Sequence, residues 1–256
     1  MLYIAAAVLI GLGTGILSGF FGVGGGVVST PAIRLILDTA PLTALGTPLP
    51  VTLPSAISGG IRYARLGLVD LNVALWAAVA GIPASIAGAY ATVYVDGHVL
   101  MLVTAAVIAA VGLDFATGAR EGRMARVVDA AAPPRRRIVA TGTLVGFVSG
   151  FLGIGGGILA VPIFLTWLHL PIKRALGTSL LLVACIATPG SIVHFTLGHV
   201  DLTLAALLTL GVVPGAWVGA GMASRLADSR LIKAFGLFLL AVSLLFAVQE
   251  VRIYLR

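Results

Sequence analysis

Charged residues are scarce in this sequence. Asp, Glu, Lys and Arg make up 10% of its 256 residues and hydrophobic residues 59%, against roughly 25% and 45–50% in soluble domains. A chain with so few charges cannot cover itself with a water-compatible surface. This excludes a soluble globular protein, a disordered chain and a nucleic-acid-binding protein, despite a net charge of +7. The composition indicates a polytopic membrane protein, in which each helix needs about 20 apolar residues to span the bilayer.

Cysteine is nearly absent, and carboxylates are absent from the middle of the hydrophobic stretches. Cys185 is the single cysteine, which excludes an intrachain disulfide and a Cys-rich metal site. All nine acidic residues fall at or near the ends of the hydrophobic blocks. Proton and sodium pathways usually keep an acid in mid-span. This distribution disfavours a cation carrier and favours an anion carrier.

Motifs of enzymes and of ATP-driven pumps are missing as well. The sequence has no Walker motif and no metal-ligand cluster, and a dinucleotide fingerprint would need a soluble βαβ unit. The residues around Ser18 and Ser149 lack the first glycine of the Gly-x-Ser-Gly motif of intramembrane serine proteases. We therefore expect no enzymatic activity, no cofactor and no metal.

Glycine, by contrast, is abundant, with 33 residues, and lies in a duplicated pattern. Residues 15–31 and 146–162 are identical at nine of seventeen positions. The same offset of 131 residues relates further short matches, Ala44–Thr47 with Ala175–Thr178 and Asp70–Leu71 with Asp201–Leu202. The chain therefore consists of two homologous repeats, over 1–117 and 138–256, joined by a basic linker over 118–137 that we place in the cytoplasm.

Each repeat contains four hydrophobic blocks, and the first block is too long for one simple span. A glycine cluster interrupts it, and each glycine within a helix costs about 1 kcal/mol relative to alanine. We interpret this block as a helical hairpin, in which a glycine loop joins a helix to a shorter helix, and the other three blocks as single transmembrane helices. The blocks cover 2–37, 41–61, 69–95 and 97–117 in the first repeat, and 138–170, 173–197, 200–224 and 230–251 in the second.

The distribution of basic residues sets the orientation of the repeats, because basic loops concentrate on the cytoplasmic side. With the linker in the cytoplasm, parallel repeats leave six basic residues outside: Arg34, Lys173, Arg174, Arg225, Arg230 and Lys233. Inverted repeats leave Arg34, Arg252 and Arg256 outside. We therefore predict an all-α polytopic membrane protein of two inverted repeats.

The two glycine clusters are the candidate substrate site, because interruptions at matching places in two repeats point to a transporter's binding site. Each cluster is expected to end at a half-helix N-terminus, near Val27 and Ile158, where free N–H groups suit an anion. The alternative is that the Gly15-x3-Gly19 and Gly22-x3-Gly26 spacings serve close helix packing. The candidate residues are Ser18, Gly22, Gly24, Gly25 and Gly26, with Ser149, Gly153, Gly155, Gly156 and Gly157.

A second duplicated element, Ala-Leu-Gly-Thr, opens the second helix of each repeat. Thr47, Thr178 and Ser179 are expected either to bind substrate or to cap the helix. In the first repeat Pro48, Pro50 and Pro54 follow within seven residues, which predicts a kinked or broken helix.

His194 is the one ionisable residue well inside a hydrophobic block, and Tyr63 is its equivalent in the first repeat. It is a candidate proton relay, with a helix-packing hydrogen bond as the alternative. Asp70 and Asp201 follow short polar turns, where an N-cap is the expected role.

The duplicated pattern S-G-x-x-G-x-G-G-G-x-x-x-x-P resembles the TauE/SafE sulfite exporter family, and the resemblance extends over nearly the whole chain. It implies a multi-pass transporter of the bacterial cytoplasmic (inner) membrane for small sulfur-containing anions, namely sulfite, thiosulfate or an organosulfonate such as sulfoacetate. An anion channel on the same inverted-repeat scaffold is the alternative. The expected partners are a small anionic substrate and the lipid bilayer, with no nucleic acid, and a homo-oligomer stays open.

Overall fold

The protein is described here by a computed structural model, which covers residues 2–37, 39–117, 133–152 and 156–254. Most of the linker, together with Gly153 and Gly155, lies outside these residues. The described chain forms eleven α-helices and one short 3-10 turn, Thr92–Tyr94, and contains no strand. The helices are α1 (Leu2–Phe21), α2 (Gly26–Leu37), α3 (Pro41–Gly46), α4 (Pro48–Arg65), α5 (Leu71–Ala91), α6 (Gly97–Ala116), α7 (Arg135–Leu152), α8 (Gly157–Thr166), α9 (Ile172–Thr196), α10 (Leu202–Arg225) and α11 (Asp228–Tyr254).

Five stretches of the described chain are helical, long and apolar enough to cross a membrane: Tyr3–Phe21, Leu71–Tyr94, Gly97–Ala116, Ile172–Thr196 and Leu202–Arg225. An all-helical, multi-pass membrane protein is therefore confirmed.

The helix break predicted in the first repeat is also confirmed. Helix α3 ends at Gly46 and α4 begins at Pro48, whereas the equivalent α9 of the second repeat continues unbroken from Ile172 to Thr196. The difference follows from Pro48, which lacks the N–H that an unbroken helix would use for its hydrogen bond. Ser179 replaces this proline in the second repeat.

Asp70 and Asp201 are N-caps, as predicted. The carboxylate of Asp70 accepts a hydrogen bond from the N–H of Val73 at 3.0 Å, and that of Asp201 accepts one from Leu204 at 2.9 Å. Each bond satisfies an N–H that the first turn of a helix leaves without a partner.

Helices of one repeat pack against helices of the other through glycine. On α1, a Cβ atom added to Gly11, Gly15 or Gly19 would overlap backbone atoms of α10. The packing interpretation of Gly15 and Gly19 is therefore confirmed, because only glycine lets two backbones approach this closely. The second repeat uses the equivalent residues Gly142, Gly146 and Gly150 of α7 against α5.

Equivalent helices of the two repeats pack against each other in an antiparallel orientation. Gly112 of α6 lies against Leu239 and Leu240 of α11, whereas Gly236 of α11 lies against Phe115 and Ala116. An increase in residue number along α6 thus corresponds to a decrease along α11, which makes the two helices antiparallel. Helices α4 and α9 follow the same rule, with Gly59 against Leu180 and Tyr63 against Gly177.

Candidate functional site

The first glycine segment, residues 22–25, lies against the start of α8. A Cβ atom on Gly157, the first residue of that helix, would overlap the backbone of Val23. Gly22 and Gly24 have φ values of +67° and +76°, and Gly156 has a φ of +75°. Side chains rarely adopt this left-handed conformation. Glycine is therefore required both for the shape of these segments and for their close approach.

Helix α2 begins directly after the first glycine segment, and α4 supports its N-terminus. The N–H of Gly26 donates to Thr52 Oγ1 at 3.0 Å, and this hydroxyl donates to the carbonyl of Pro48 at 2.9 Å. A Cβ atom on Gly25 would make ordinary contact with Thr52, at 3.6 Å. Thr52 thus binds the first N–H of α2.

The two candidate serines differ in their partners. The hydroxyls of Ser18 and Ser55 form a hydrogen bond of 2.8 Å. The second repeat has Ile186 where the first has Ser55. Ser149 is 1% exposed, and its hydroxyl has no hydrogen-bond partner in the part of the chain that the structure describes.

Ser149 lies beside the N-terminus of α8. Its Cβ atom is 3.0 Å from the position that a Cβ on Gly156 would occupy, and Gly156 is the N-cap of α8. A buried hydroxyl without a partner is unfavourable, by about 1–3 kcal/mol. Its position next to a helix N-terminus places an available donor where an anion would be attracted.

Thr47 and Thr178 do not cap their own helices. Thr47 makes no side-chain cap bond to α4, and Thr178 lies inside α9. Each hydroxyl oxygen instead accepts from a backbone N–H of the other repeat, Thr47 from Asp201 at 3.0 Å and Thr178 from Asp70 at 2.9 Å.

Ser179 also contacts the other repeat. Its hydroxyl donates to the carbonyl of Gly22 at 2.6 Å and lies 2.8 Å from that of Leu176 in its own helix. The first glycine segment is therefore held from α9.

His194 and its equivalent Tyr63 make matching contacts. The hydroxyl of Tyr63 donates to the carbonyl of Gly19 at 3.2 Å, and Nε2–H of His194 donates to the carbonyl of Gly150 at 3.3 Å. His194 has one further neighbour, since its Nδ1 lies 3.2 Å from Nδ1 of His199. Because Nε2 carries the proton of a neutral His194, the Nδ1–H of His199 is the donor of this second bond.

The charged residue of α2 lies at the end opposite the glycine segment. The buried residue Arg34 lies in the last turn of this helix and donates to the carbonyl of Thr39 at 2.8 Å. The described residues contain no group of three or more His, Cys, Asp or Glu that could hold a metal ion.

Sequence reasoning missed Thr52 and Ser55, which bind Gly26 and Ser18. Both are polar and lie three positions apart on one face of α4, a signal that the sequence does contain. The equivalent residues are Val183 and Ile186, so a comparison of the two repeats conceals them.

The sequence profile of the family described as sulfite exporter TauE/SafE matches residues 7–246. The chain belongs to the TauE/SafE family. Family membership and the five membrane-spanning stretches support a membrane transporter of the TauE/SafE type, and a non-enzymatic role agrees with both.

Similar proteins come from bacteria and from an archaeon. The probable membrane transporter protein YunE of Bacillus subtilis is 27% identical, over 94% of this chain and 95% of its own length. A probable membrane transporter protein of Xylella fastidiosa is 29% identical, over 92% of this chain and 90% of its own. MJ0441 of Methanocaldococcus jannaschii, also named a probable membrane transporter protein, is 23% identical over 94% and 96%. No solved structure matches the chain.

Proposed function

We propose that this TauE/SafE protein is a secondary transporter of small sulfur-containing anions in the bacterial cytoplasmic membrane. The substrate class is sulfite, thiosulfate or an organosulfonate such as sulfoacetate. The family description supports the chemical class. The scarcity of acidic residues within the spanning helices supports an anion rather than a cation as the cargo.

The anion binds between the two glycine segments, at the N-termini of α2 and α8. Backbone N–H groups and helix dipoles supply the positive potential there. The contact between Val23 and Gly157 supports this placement, because it brings the first segment to the start of α8. A site without a full side-chain charge neutralises an anion only partly, so it favours singly charged or weakly hydrated substrates.

The observation that carries the site is the buried Ser149 hydroxyl without a partner. A hydroxyl that nothing in the described protein binds is available to a substrate oxygen. Gly156 lies beside this hydroxyl, and Ser18 supports the first glycine segment from the end of α1. Thr47, Thr178 and Ser179 hold the two repeats and the first segment in place.

The proposal includes inverted repeats, because one repeat can move against the other and open a single site alternately to the two sides of the membrane. The reciprocal bonds of Thr47 and Thr178 support a two-fold relationship between the repeats. The antiparallel pairing of α6 with α11 supports an axis that runs across these helices, which lies within the membrane plane when the helices span the bilayer. A Lys173→Cys variant tests this arrangement. A membrane-impermeant thiol reagent should label it from the side that carries the linker, and labelling from the opposite side alone would contradict inverted repeats.

The site is tested by Ser149→Ala, with Ser18→Ala as the matched control. Removal of an unpaired hydroxyl should leave the melting temperature unchanged or raise it, while uptake of labelled sulfite or sulfoacetate into proteoliposomes falls at least about tenfold, if one hydrogen bond to a charged ligand is lost. Ser18→Ala should lower the melting temperature, because it leaves Ser55 without its partner. Wild-type uptake by Ser149→Ala would refute the site.

Counterflow distinguishes the transporter from the channel alternative. Vesicles preloaded with unlabelled substrate should transiently accumulate labelled substrate above the external concentration if one site alternates between the two sides. A channel only dissipates the gradient, so the absence of such an overshoot would refute the transport mechanism.

A further inference from the structure

Two arginines of α4 share the ring of one tryptophan on α10. The guanidinium carbons of Arg62 and Arg65 lie 5.2 Å and 5.1 Å from the ring centroid of Trp217. The side chain of Arg62 also lies against Gly221 of α10, since a Cβ there would make ordinary contact with its Nε at 3.5 Å. Both cations are thereby oriented at the C-terminal end of α4 by cation–π contacts. We refer to these three side chains as the Arg-Trp cluster.

The positive charge of the Arg-Trp cluster is not balanced within the described protein. Neither arginine forms an ion pair with a described carboxylate, whereas Lys173 has Asp228 at 3.4 Å. The Nε of Arg62 is buried and has no hydrogen-bond acceptor among the described residues. Two like charges beside a medium of low dielectric repel each other, and an anion placed between them would reverse the sign of that interaction.

The surroundings of the Arg-Trp cluster face outward and are apolar. Ile57 and Ile61 of α4 are exposed, as are Val218 and Met222 of α10. In a membrane protein such side chains contact acyl chains, and tryptophan and arginine beside them are typical of the headgroup level. A ligand of this cluster would therefore have an acidic head and apolar tails.

We propose that the Arg-Trp cluster binds the phosphate group of an anionic phospholipid. The planar guanidinium groups donate paired N–H bonds to phosphate oxygens, while the acyl chains cover the exposed isoleucines, Val218 and Met222. The equivalent positions in the other repeat are Val193, Thr196 and Ile86. The lipid site therefore exists at one membrane surface only, the one at which α4 and α10 end.

Native mass spectrometry of the purified full-length protein tests this proposal, with phosphatidylglycerol and phosphatidylcholine titrated separately. Wild type should prefer phosphatidylglycerol. The double variant Arg62→Gln/Arg65→Gln should bind it at least about tenfold more weakly, since each arginine near an anionic headgroup contributes about a fivefold change. Phosphatidylcholine binding should not change. Arg230→Gln, which removes an exposed arginine at the start of α11, is the matched control and should behave like wild type.

The proposal is overturned if wild type and the double variant bind phosphatidylglycerol equally, or if wild type does not prefer phosphatidylglycerol to phosphatidylcholine. It is also overturned if free glycerol phosphate binds as tightly as the lipid and its binding depends on the same arginines. The last outcome would assign the cluster to a soluble anion. If the glutamine variant does not fold, Arg62→Lys/Arg65→Lys retains both charges and should still lose affinity, because lysine lacks the planar fork. Wild-type affinity of that variant would equally refute the lipid site.

Discussion

The backbone N–H of Asp201 donates a hydrogen bond of 3.0 Å to the hydroxyl oxygen of Thr47. The same bond exists with the repeats exchanged, from Asp70 to Thr178 at 2.9 Å. Each threonine therefore holds the N-cap residue of the other repeat, and each aspartate in turn caps its own helix. The start of α5 and the start of α10 are thus both fixed from the opposite repeat.

Thr47→Val and Thr178→Val should destabilise the protein by similar amounts. Valine retains the shape of threonine but cannot accept the N–H of the aspartate, and one such bond is worth about 1 kcal/mol. Melting temperatures in the same detergent measure both changes. Thr143→Val, which removes a hydroxyl bonded only within α7 and exposed, is the control. An effect in one variant alone would contradict equivalent roles for the two bonds.

Gly146→Ala should destabilise the protein strongly. The added methyl group would overlap the backbone of Gly81 on α5, and relieving such an overlap costs about 1–3 kcal/mol or more. Gly13→Ala is the matched control, because nothing lies within 4 Å of its added Cβ and alanine favours the helix. Thermal unfolding should show a loss for Gly146→Ala and none for Gly13→Ala. Equal stability would contradict the close approach of α5 and α7.

Substitution of Gly25 should leave folding intact but abolish transport. Gly25→Ala meets only Thr52, at 3.6 Å, so we expect normal insertion and stability with loss of anion uptake. Gly156→Val should also abolish uptake, with an additional cost in stability because Gly156 has a φ of +75° and valine resists that conformation. Uptake assays and membrane fractionation measure the two effects separately. Wild-type uptake by both variants would remove the glycine segments from the substrate site.

The sequence predicted the approximate extent of the single spanning helices but not which helices pack together. The block over 69–95 corresponds to α5 at Leu71–Ala91, and the prolines after Thr47 correctly indicated a break. The contact of Gly15 with α10 depends on how the repeats interlock, which periodicity along one helix does not contain. The unpaired hydroxyl of Ser149 likewise depends on Ile186 from a distant helix, and the stacking of Arg62 on Trp217 joins the two repeats.

Stability should fall in acid because of His199, which lies in the turn between α9 and α10. Burial lowers the pKa of His199 below its ordinary value of 6.5, so the unfolded chain takes up this proton at a higher pH than the folded one. The contribution is therefore constant above about pH 6.5 and is lost as the pH falls toward the folded pKa. His199→Leu, which copies the equivalent Leu68, should flatten this part of the pH profile of the melting temperature. An unchanged slope in His199→Leu would contradict the assignment.

Transport should depend on pH through His194. Histidine is the side chain that ordinarily titrates between pH 5 and 8, and His194 connects the half-buried His199 to the carbonyl of Gly150, next to Ser149. His194→Gln retains an N–H donor for Gly150 but cannot exchange a proton with His199. If His194 and His199 exchange a proton during transport, we expect sulfonate uptake by wild type to vary across about pH 5.5 to 8 and uptake by the variant to lose that dependence. Tyr63→Phe removes the equivalent bond to Gly19 and should retain the wild-type pH profile. If His194→Gln retains it as well, the bond to Gly150 serves helix packing, as the bond of Tyr63 does in the first repeat.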